Sequence, residues 1–241
     1  ATAAGNRILE IYNNELFETE IKSDNSPLTK ADREANIIIK NFLENTDLPI
    51  LSEEGKLVEY SERKKWIKFW MVDPLDGTKE FVKRNGEFTV NIALIENGVP
   101  VLGVVYCPVK KWLYYADKEN GSYKETVENG KVITEKLPKV FYKEKYVVVG
   151  SRSHSSPETE AFIEKLKNKI NKEIEFVSMG SSLKICLVAE GSADIYPRLA
   201  PTMEWDTAAA HAIALYSGFQ ITDFQSKDPL KYNKENLLNP H

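Results

Sequence analysis

The 241-residue chain has little of what marks several large classes of protein. Its two cysteines, Cys107 and Cys186, have neither metal-motif spacing nor the density of a disulfide scaffold. No apolar run approaches the roughly 20 residues that span a bilayer, and no signal peptide is visible. The net charge of -4 argues against a general nucleic-acid-binding surface. These absences indicate a reduced, cytoplasmic protein without a nucleic acid polymer as partner, and they leave peripheral inner-membrane association open.

The first part of the chain has the pattern of an α+β lobe. Apolar residues recur at helical spacing over 29–45, which predicts an amphipathic helix. Apolar strands follow, and Asn97-Gly98 is a strong hairpin signal. Two further Asn-Gly pairs indicate that an antiparallel meander continues. We predict an N-terminal lobe at residues 1–145 that carries most of the candidate metal ligands.

The pattern changes near residue 146, where strands and helices begin to alternate. The segment 193–198, ADIYPR, is predicted to be one of the short strands. Alternation of this kind is typical of an α/β lobe. We therefore predict a second lobe at 146–241, with a cleft between the two lobes.

The stretch WMVDPLDGTKEF, residues 70–81, places two aspartates three positions apart around a proline. Asp-Pro and Asp-Gly favour turns, so Asp73 and Asp76 could simply end a buried strand. Carboxylate oxygens are also ligands that Mg²⁺ prefers, and two neighbouring ions need a bridging carboxylate. Such an ion pair can activate water and stabilise the leaving oxygen of a phosphate ester.

Three further acidic residues stand at the ends of predicted elements. Glu53 and Glu54 follow an apolar strand, and Asp206 lies at the start of a helix. Each has a simpler explanation, because the glutamates fit a solvated loop and Asp206 fits a helix cap. The residues alone therefore predict a plausible divalent-metal site without showing that its members meet.

Three segments in this order resemble the signature of the inositol monophosphatase superfamily: LSEEG at 51–55, WMVDPLDGTKEF at 70–81 and EWDTAAAHA at 204–212. The agreement extends over about 22–223. Members of this superfamily are Mg²⁺-dependent, typically lithium-sensitive phosphatases. The resemblance implies the layered α/β/α/β/α sugar-phosphatase fold and a metal-dependent phosphomonoesterase. Ala210 replaces the usual glycine of the third segment, and its methyl group is expected to narrow the packing behind the metal site.

The resemblance implies two or three Mg²⁺ ions. It places one ion on Glu53, Asp73 and the backbone carbonyl of Leu75. It places a second ion on Asp73, Asp76 and Asp206, with Asp73 as the bridge. A third, weaker ion is expected near Glu53.

The resemblance also implies catalytic roles for Asp32, Glu53 and Thr78. Asp32 and Thr78 are expected to orient the attacking water, and Glu54 to support the metal ligands from outside. The backbone N–H groups of Gly77 and Thr78 are expected to receive the scissile phosphate. Asp32 also fits a helix capping box, and the two roles are compatible.

The continuation DGTKEF, with GSRSH, GSSLK and YPR further along, resembles the 3'(2'),5'-bisphosphate nucleotidase branch. A bisphosphorylated nucleotide carries a second phosphate away from the metals, which calls for cationic donors. By resemblance, the second phosphate and ribose are surrounded by His154, Ser181, Lys184 and Arg198. An exposed histidine, a helix cap and a surface ion pair are the simpler explanations for three of these. Lys184 lies in an otherwise apolar helix, which favours a function.

The resemblance implies hydrolysis of 3'-phosphoadenosine 5'-phosphate to AMP and phosphate by a metal-activated water. The 5'-phosphosulfate form is a further expected substrate. An inositol or sugar-phosphate phosphatase is the alternative, and a non-catalytic metal or nucleotide sensor is a weaker one. His211 is expected to be a packing or supporting residue. The expected partner is a small phosphorylated nucleotide, and a homodimer stays open.

Overall fold

The structure is a computed structural model that describes residues 1–14, 19–21, 27–139, 142–151 and 157–240. The helices are α1 (Thr2–Tyr12), α2 (Lys30–Leu43), α3 (Tyr60–Arg63), α4 (Thr78–Val82), α5 (Pro157–Lys167), α6 (Leu183–Glu190) and α7 (Glu204–Tyr216). The strands are β1 (Thr19–Ile21), β2 (Pro27–Thr29), β3 (Ile50–Ser52), β4 (Lys68–Asp76), β5 (Thr89–Glu96), β6 (Val99–Cys107), β7 (Trp112–Asp117), β8 (Gly121–Glu128), β9 (Lys131–Leu137), β10 (Tyr146–Gly150) and β11 (Ile174–Ser178). None of the helices in these ranges is long and apolar enough to cross a membrane.

A seven-stranded sheet with the order β3-β4-β5-β6-β7-β8-β9 forms the centre of the structure. β3 runs parallel to β4, and each later pair is antiparallel. Asn97-Gly98 forms the turn between β5 and β6, as predicted from the dipeptide. The predicted meander is therefore confirmed.

The two faces of this sheet are covered by different helices. Phe69 and Met71 of β4 belong to a core cluster that includes residues of α6 and α7. Val72, on the opposite face, packs with apolar residues of α1 and α2. α2 starts after Thr29, whose hydroxyl accepts a hydrogen bond from the Ala31 N–H at 3.1 Å. The amphipathic helix predicted over 29–45 is confirmed.

A second, two-stranded parallel sheet packs beyond α6. β10 and β11 pair in parallel and are connected through α5, and Val147 and Val149 pack against Leu187 of α6. The predicted strand at 193–198 is wrong, because within it Ile195 makes only a single bridge to β10. Pro197 has no N–H to extend a ladder. The alternation of helix and sheet layers confirms the predicted layered α/β fold.

α7 lies directly on the large sheet, although its sequence belongs to the predicted second lobe. A Cβ at Gly103 of β6 would lie 2.2 Å from the Ala209 carbonyl oxygen, so only glycine permits this approach. Ser122 of β8 donates a hydrogen bond to the Ile213 carbonyl oxygen at 2.7 Å. The boundary at residue 145 stays a prediction, and α7 is fixed to the sheet that carries Asp73.

Candidate metal and phosphate site

The two aspartates of the central motif lie within a strand rather than after it. Asp73 pairs with Asn91 and Asp76 pairs with Thr89, so β4 has one more residue than β5 over this interval. The extra residue is a β-bulge, which bends the strand and redirects its side chains. The alternative that Asp-Pro simply ends the strand is therefore wrong. The bulge brings both carboxylates to the same end of the sheet.

Three carboxylates from three elements meet at this bulge. Glu53 follows β3, Asp73 lies in β4 and Asp206 lies in α7, and each offers an oxygen within 4.8 Å of the others. Burial, followed by the charges of Glu53, Asp76 and Asp206, raises the pKa of Asp73 well above its usual value. Carboxylates that repel one another in this way favour a bound cation. The donor set therefore fits a hard divalent ion such as Mg²⁺.

Asp206 is held by the start of its own helix. Its Oδ2 accepts a hydrogen bond from the Met203 N–H at 2.8 Å, as an N3 carboxylate does in a capping box. Burial, followed by the nearby charge of Asp76, raises the pKa of Asp206 to about 8, while the Met203 hydrogen bond opposes the rise. The capping interpretation is thus correct, and it leaves the second oxygen of Asp206 for another task.

Asp76 lies outside the three-carboxylate group and is held by the start of α6. Its Oδ2 accepts hydrogen bonds from the Ser182 N–H at 2.6 Å, from the Ser182 hydroxyl at 2.8 Å and from Asn91 Nδ2 at 3.3 Å. Ser182 Oγ also lies 2.6 Å from the Asp206 carbonyl oxygen. The single hydroxyl proton serves one of these two acceptors at a time. Ser182 therefore joins Asp76 to the helix that carries Asp206.

Asp32 divides its two oxygens between two neighbours. Oδ2 accepts hydrogen bonds from the Thr29 N–H at 2.8 Å and from the Thr29 hydroxyl at 2.5 Å. Oδ1 lies 3.3 Å from Thr78 Oγ1, which is also 3.3 Å from the Leu75 carbonyl oxygen. The capping role of Asp32 is confirmed, and the contact that its predicted catalytic role requires is present as well.

Gly77 turns the chain from β4 into α4. Its φ of 86° lies in the left-handed region, which a side chain would strain. A Cβ there would also lie 3.2 Å from Ser181 Cβ. The turn places the N–H groups of Gly77 and Thr78 at the start of α4, beside Asp76.

A cavity of about 630 Å³ connects this region to a group of cations. Its lining includes Asp76, Thr78 and Asp206 and also Lys184 and Arg198. Burial lowers the pKa of Lys184, and the charge of Asp76 opposes that shift. Lys184 Nζ donates to the Ser181 carbonyl oxygen at 2.6 Å, which leaves two further protons for other acceptors.

Arg198 has a donor without an acceptor. Its Nη2 donates to the Pro201 carbonyl oxygen at 3.2 Å, whereas its buried Nε has no hydrogen-bond partner among the described residues. A buried, unpaired guanidinium donor is costly, and an anion in the cavity would satisfy it. The simpler explanation as a surface ion pair receives no support, since the described salt bridges do not include Arg198.

The remaining predicted residues are placed differently from one another. Ser181 does not cap α6, since Ser182 is the N-cap and Ser181 instead contacts Thr89 Oγ1 at 3.0 Å with φ of 45°. His154 lies outside the described residues. Glu54 accepts a hydrogen bond from Asn36 Nδ2 through its backbone carbonyl at 3.2 Å.

Two residues on α7 have packing roles. His211 is buried with Nδ1 2.8 Å from Tyr232 Oη, and burial lowers its pKa to about 4. Ala210 is fully buried in the core between α7 and the sheet. The expected packing role of His211 therefore agrees with its contacts.

Comparison with known proteins adds to this geometry. The model of the "Inositol monophosphatase family" matches residues 1–241. This chain belongs to that family. As an inositol monophosphatase family member, it has the fold that the three motifs predicted.

The relatives narrow the comparison. The chain is 46% identical to "3'(2'),5'-bisphosphate nucleotidase CysQ" of Salmonella typhimurium, over all of this chain and 94% of the relative. It is 35% identical to the Haemophilus influenzae protein of that name, over all of this chain and 88% of the relative. The crystal structure of CysQ from Bacteroides thetaiotaomicron matches with a TM-score of 0.89 and 52% identity, covering 100% of this chain and 92% of that one. The Thermotoga maritima IMPase matches with a TM-score of 0.72 and 26% identity, covering 95% and 84%.

Sequence reasoning missed Ser182 and Asn91, which hold Asp76. Asn91 Nδ2 also donates to Ser182 Oγ at 2.9 Å, so the two residues form one network. The sequence signal for Ser182 was its place as the second serine of GSSLK, next to Ser181, which the resemblance selected. Only the backbone course, with Ser181 left-handed and Ser182 at the helix start, decides between the two.

Proposed function

We propose that this chain is a Mg²⁺-dependent 3'(2'),5'-bisphosphate nucleotidase. It hydrolyses the 3'-phosphate ester of 3'-phosphoadenosine 5'-phosphate, and the 5'-phosphosulfate form is a second substrate. The observation that carries the proposal is one cavity lined by metal-type carboxylates, by Lys184 and Arg198, and by aromatic side chains. Full-length similarity to proteins named 3'(2'),5'-bisphosphate nucleotidase supports it.

In this proposal the carboxylates hold two or three Mg²⁺ ions. One ion would be held by Glu53, Asp73 and the Leu75 carbonyl. Another would be held by Asp73, Asp76 and Asp206. When bound, Mg²⁺ supplies the positive charge that activates a water and neutralises the phosphate oxygens. Glu53 thereby serves both metal binding and catalysis, and Glu54 supports it.

Thr78 and Asp32 orient the attacking water. Thr78 donates its hydroxyl proton to Asp32 Oδ1, so its oxygen lone pairs accept a hydrogen bond from the water. The proton lost by the water moves along this line towards Asp32, as in general base catalysis. The new P–O bond forms from the water oxygen as the P–O3' bond breaks. O3' takes a proton from a second water near Asp206, and the proton taken up by Asp32 is released, so that the products are AMP and inorganic phosphate.

The start of α4 and the cationic side chains of the cavity bind the two phosphates separately. The N–H groups of Gly77 and Thr78 receive the 3'-phosphate. Lys184, Arg198 and Ser181 receive the second phosphate, and His154 is proposed to join them. The unpaired Nε of Arg198 gives this assignment its physical support, because a phosphate oxygen is a strong acceptor.

An aromatic wall favours a nucleotide over an inositol phosphate. Phe162 and Phe224 line the cavity and contact each other edge to face, with ring centroids 5.7 Å apart. Phe224 is 41% exposed and the Lys227 ammonium lies 4.2 Å from its ring centroid, so a flat base would stack on the part of the ring that Lys227 does not cover. A nucleobase gains stacking energy on such a surface, whereas an inositol ring presents hydroxyl groups that gain little there.

A substrate panel tests the proposal. Purified protein with Mg²⁺ should release phosphate from 3'-phosphoadenosine 5'-phosphate much faster than from inositol 1-phosphate or fructose 1,6-bisphosphate. Phe224→Ala should raise the KM for the nucleotide about tenfold, as loss of roughly 1–3 kcal/mol of stacking implies. Phe42→Ala, at an aromatic side chain 76% exposed on α2, is the matched control. Faster hydrolysis of inositol 1-phosphate would assign the site to the alternative substrate class.

We also propose a cytoplasmic location. Cys107 and Cys186 are buried free thiols, which suits a reducing compartment. A homodimer stays a prediction.

A further inference from the structure

We infer that residues 232–239, here called the C-terminal strap, set the position of Asp206, and that Asn239 is a positioning residue for it. The inference rests on the proposed role of Asp206 as a metal ligand. The strap lies against the first turn of α7 and belongs to none of the three motifs. Nothing in its composition suggests a connection with the metal site.

Asn239 acts on Asp206 through a single residue, Met203. Its Nδ2 donates to the Met203 carbonyl oxygen at 2.9 Å, and the Met203 N–H donates to Asp206 Oδ2 at 2.8 Å. The Asn239 N–H donates to the Thr202 carbonyl oxygen at 2.8 Å. Asn239 Nδ2 also lies 3.0 Å from Thr207 Oγ1, on the other side of Asp206. The buried side-chain amide of Asn239 therefore contacts both Met203, three residues before Asp206, and Thr207, directly after it.

Glu204, the first residue of α7, binds the strap through both its carboxylate and its N–H. Its carboxylate accepts hydrogen bonds from the Asn233 N–H at 2.6 Å and the Lys234 N–H at 3.0 Å, and it pairs with the Lys234 ammonium. The Glu204 N–H donates to the Leu237 carbonyl oxygen at 2.9 Å. Glu204 is fully buried, so these contacts use donors that water cannot replace.

Arg63 of α3 also holds the strap. Its guanidinium donates to the Lys234 carbonyl oxygen at 2.6 Å and to the Glu235 carbonyl oxygen at 2.7 Å. Asn233 Nδ2 donates in return to the Arg63 carbonyl oxygen at 2.7 Å. Arg63 lies in α3, ten residues after Glu53 in the chain. The strap thus links the segment that follows one candidate ligand to the helix that carries another.

Precise placement matters for the ion that this site is proposed to hold. Mg²⁺ demands nearly ideal octahedral geometry, so a carboxylate that is free to shift binds it less well. Groups that orient metal ligands typically change metal affinity by 10- to 100-fold when they are removed. The strap therefore affects metal binding and not only folding.

Metal binding without substrate tests the inference. Mg²⁺ alone is titrated calorimetrically into the wild type, Asn239→Ala and Lys234→Met, and thermal melting is recorded with and without Mg²⁺. Asn239→Ala should weaken Mg²⁺ binding about tenfold, and Lys234→Met, at a partly exposed side chain, should weaken it less. Glu235→Ala is the matched control, because its side chain is exposed and only its carbonyl contacts Arg63.

Each outcome decides the matter. Weaker Mg²⁺ binding by folded Asn239→Ala, or by Lys234→Met if the first variant does not fold, with an unchanged Glu235→Ala, supports the inference. A variant that melts earlier yet binds Mg²⁺ as the wild type does overturns it, because the strap is then a structural support only. A wild type that binds no Mg²⁺ overturns the strap inference together with the metal site. A wild type that binds Mg²⁺ but hydrolyses no phosphate ester overturns the proposed function alone.

Discussion

Ser182 contacts Asp76 through both its N–H and its hydroxyl, across 106 residues of sequence. The Ser182 N–H and hydroxyl lie 2.6 and 2.8 Å from Asp76 Oδ2, and Ser182 Oγ is also 2.6 Å from the Asp206 carbonyl oxygen. The start of α6 therefore fixes the Asp76 carboxylate on β4 and also contacts the backbone of Asp206 on α7. A change at Ser182 is expected to be felt by the metal site and not by α6 alone.

Ser182→Ala should weaken Mg²⁺ activation while leaving a folded protein. The variant keeps the backbone N–H to Asp76 but loses the hydroxyl, which predicts a loss of about 1–2 kcal/mol in the free energy of unfolding. The Mg²⁺ concentration for half-maximal activity should rise about tenfold. Ser61→Ala, at an exposed serine of α3, is the control and should change neither quantity.

The two tasks of Asp32 can be separated by two variants. Thr78→Ala removes the hydroxyl beside Asp32 Oδ1 and should lower kcat at least a hundredfold, with little effect on stability. Asp32→Asn should lower kcat similarly, by about 10²- to 10⁴-fold. It should also weaken the cap of α2, at a cost of about 1 kcal/mol. An Asp32→Asn variant that is less stable but has normal kcat would leave Asp32 with the capping role only.

The metal-free protein should become more stable as pH falls from 8 to 6.5. The folded-state pKa of Asp206 is raised to about 8, so the folded state takes up a proton in this range that the unfolded chain does not. Each bound proton adds at most about 1.4 kcal/mol per pH unit to the free energy of unfolding. Urea unfolding in EDTA should show the slope, and saturating Mg²⁺ should abolish it, because the metal holds the carboxylates ionised.

Asp206→Asn should reduce this slope in EDTA. His211, whose pKa is lowered to about 4, and the Ala1 amine, whose pKa burial lowers below its ordinary value, contribute in the opposite direction, because the unfolded chain takes up these protons at a higher pH than the folded chain does. The change in slope between the wild type and Asp206→Asn therefore measures the contribution of this carboxylate. An Asp206→Asn variant with the same slope as the wild type in EDTA would contradict the electrostatic account of the site.

Lys184→Met should discriminate between substrates with and without a 5'-phosphate. Loss of a charge-assisted contact to the second phosphate should lower kcat/KM for 3'-phosphoadenosine 5'-phosphate about a hundredfold, or roughly 3 kcal/mol. The value for 3'-AMP, which lacks that phosphate, should fall less than threefold. Lys118→Met, at an exposed lysine, is the control. Equal losses on both substrates would mean that Lys184 supports the fold rather than the second phosphate.

The sequence was sufficient to predict the family, the layered fold and most helices and strands. The three motifs and their spacing can be recognised directly in the chain. It was insufficient where the geometry of the site depends on the backbone conformation of a single residue. Ser181 and Ser182 are chemically identical, and the left-handed φ of Ser181 decides which of them meets Asp76. The bulge between Asp73 and Asp76 was likewise hidden, because Asp-Pro predicts a strand end equally well.

The C-terminal strap was not predicted because its contacts are long-range and involve mainly backbone atoms. Glu204 looks like an ordinary first-turn glutamate, and Asn239 stands in no motif. Their roles follow from carbonyl and N–H groups that face each other only in the folded chain. Such contacts leave no local signal of the kind that a periodic pattern or a turn dipeptide provides.

Mg²⁺-dependent phosphate release from 3'-phosphoadenosine 5'-phosphate, by wild type and by Asp73→Asn, tests the central claim most directly. Asp73 is the only proposed ligand shared by both ions, so the account predicts activity that requires Mg²⁺ in the wild type. In folded Asp73→Asn it predicts a loss of at least a thousandfold, or about 4 kcal/mol of transition-state stabilisation. Phosphate release by the wild type that persists in EDTA, or an Asp73→Asn variant as active as the wild type, would contradict it.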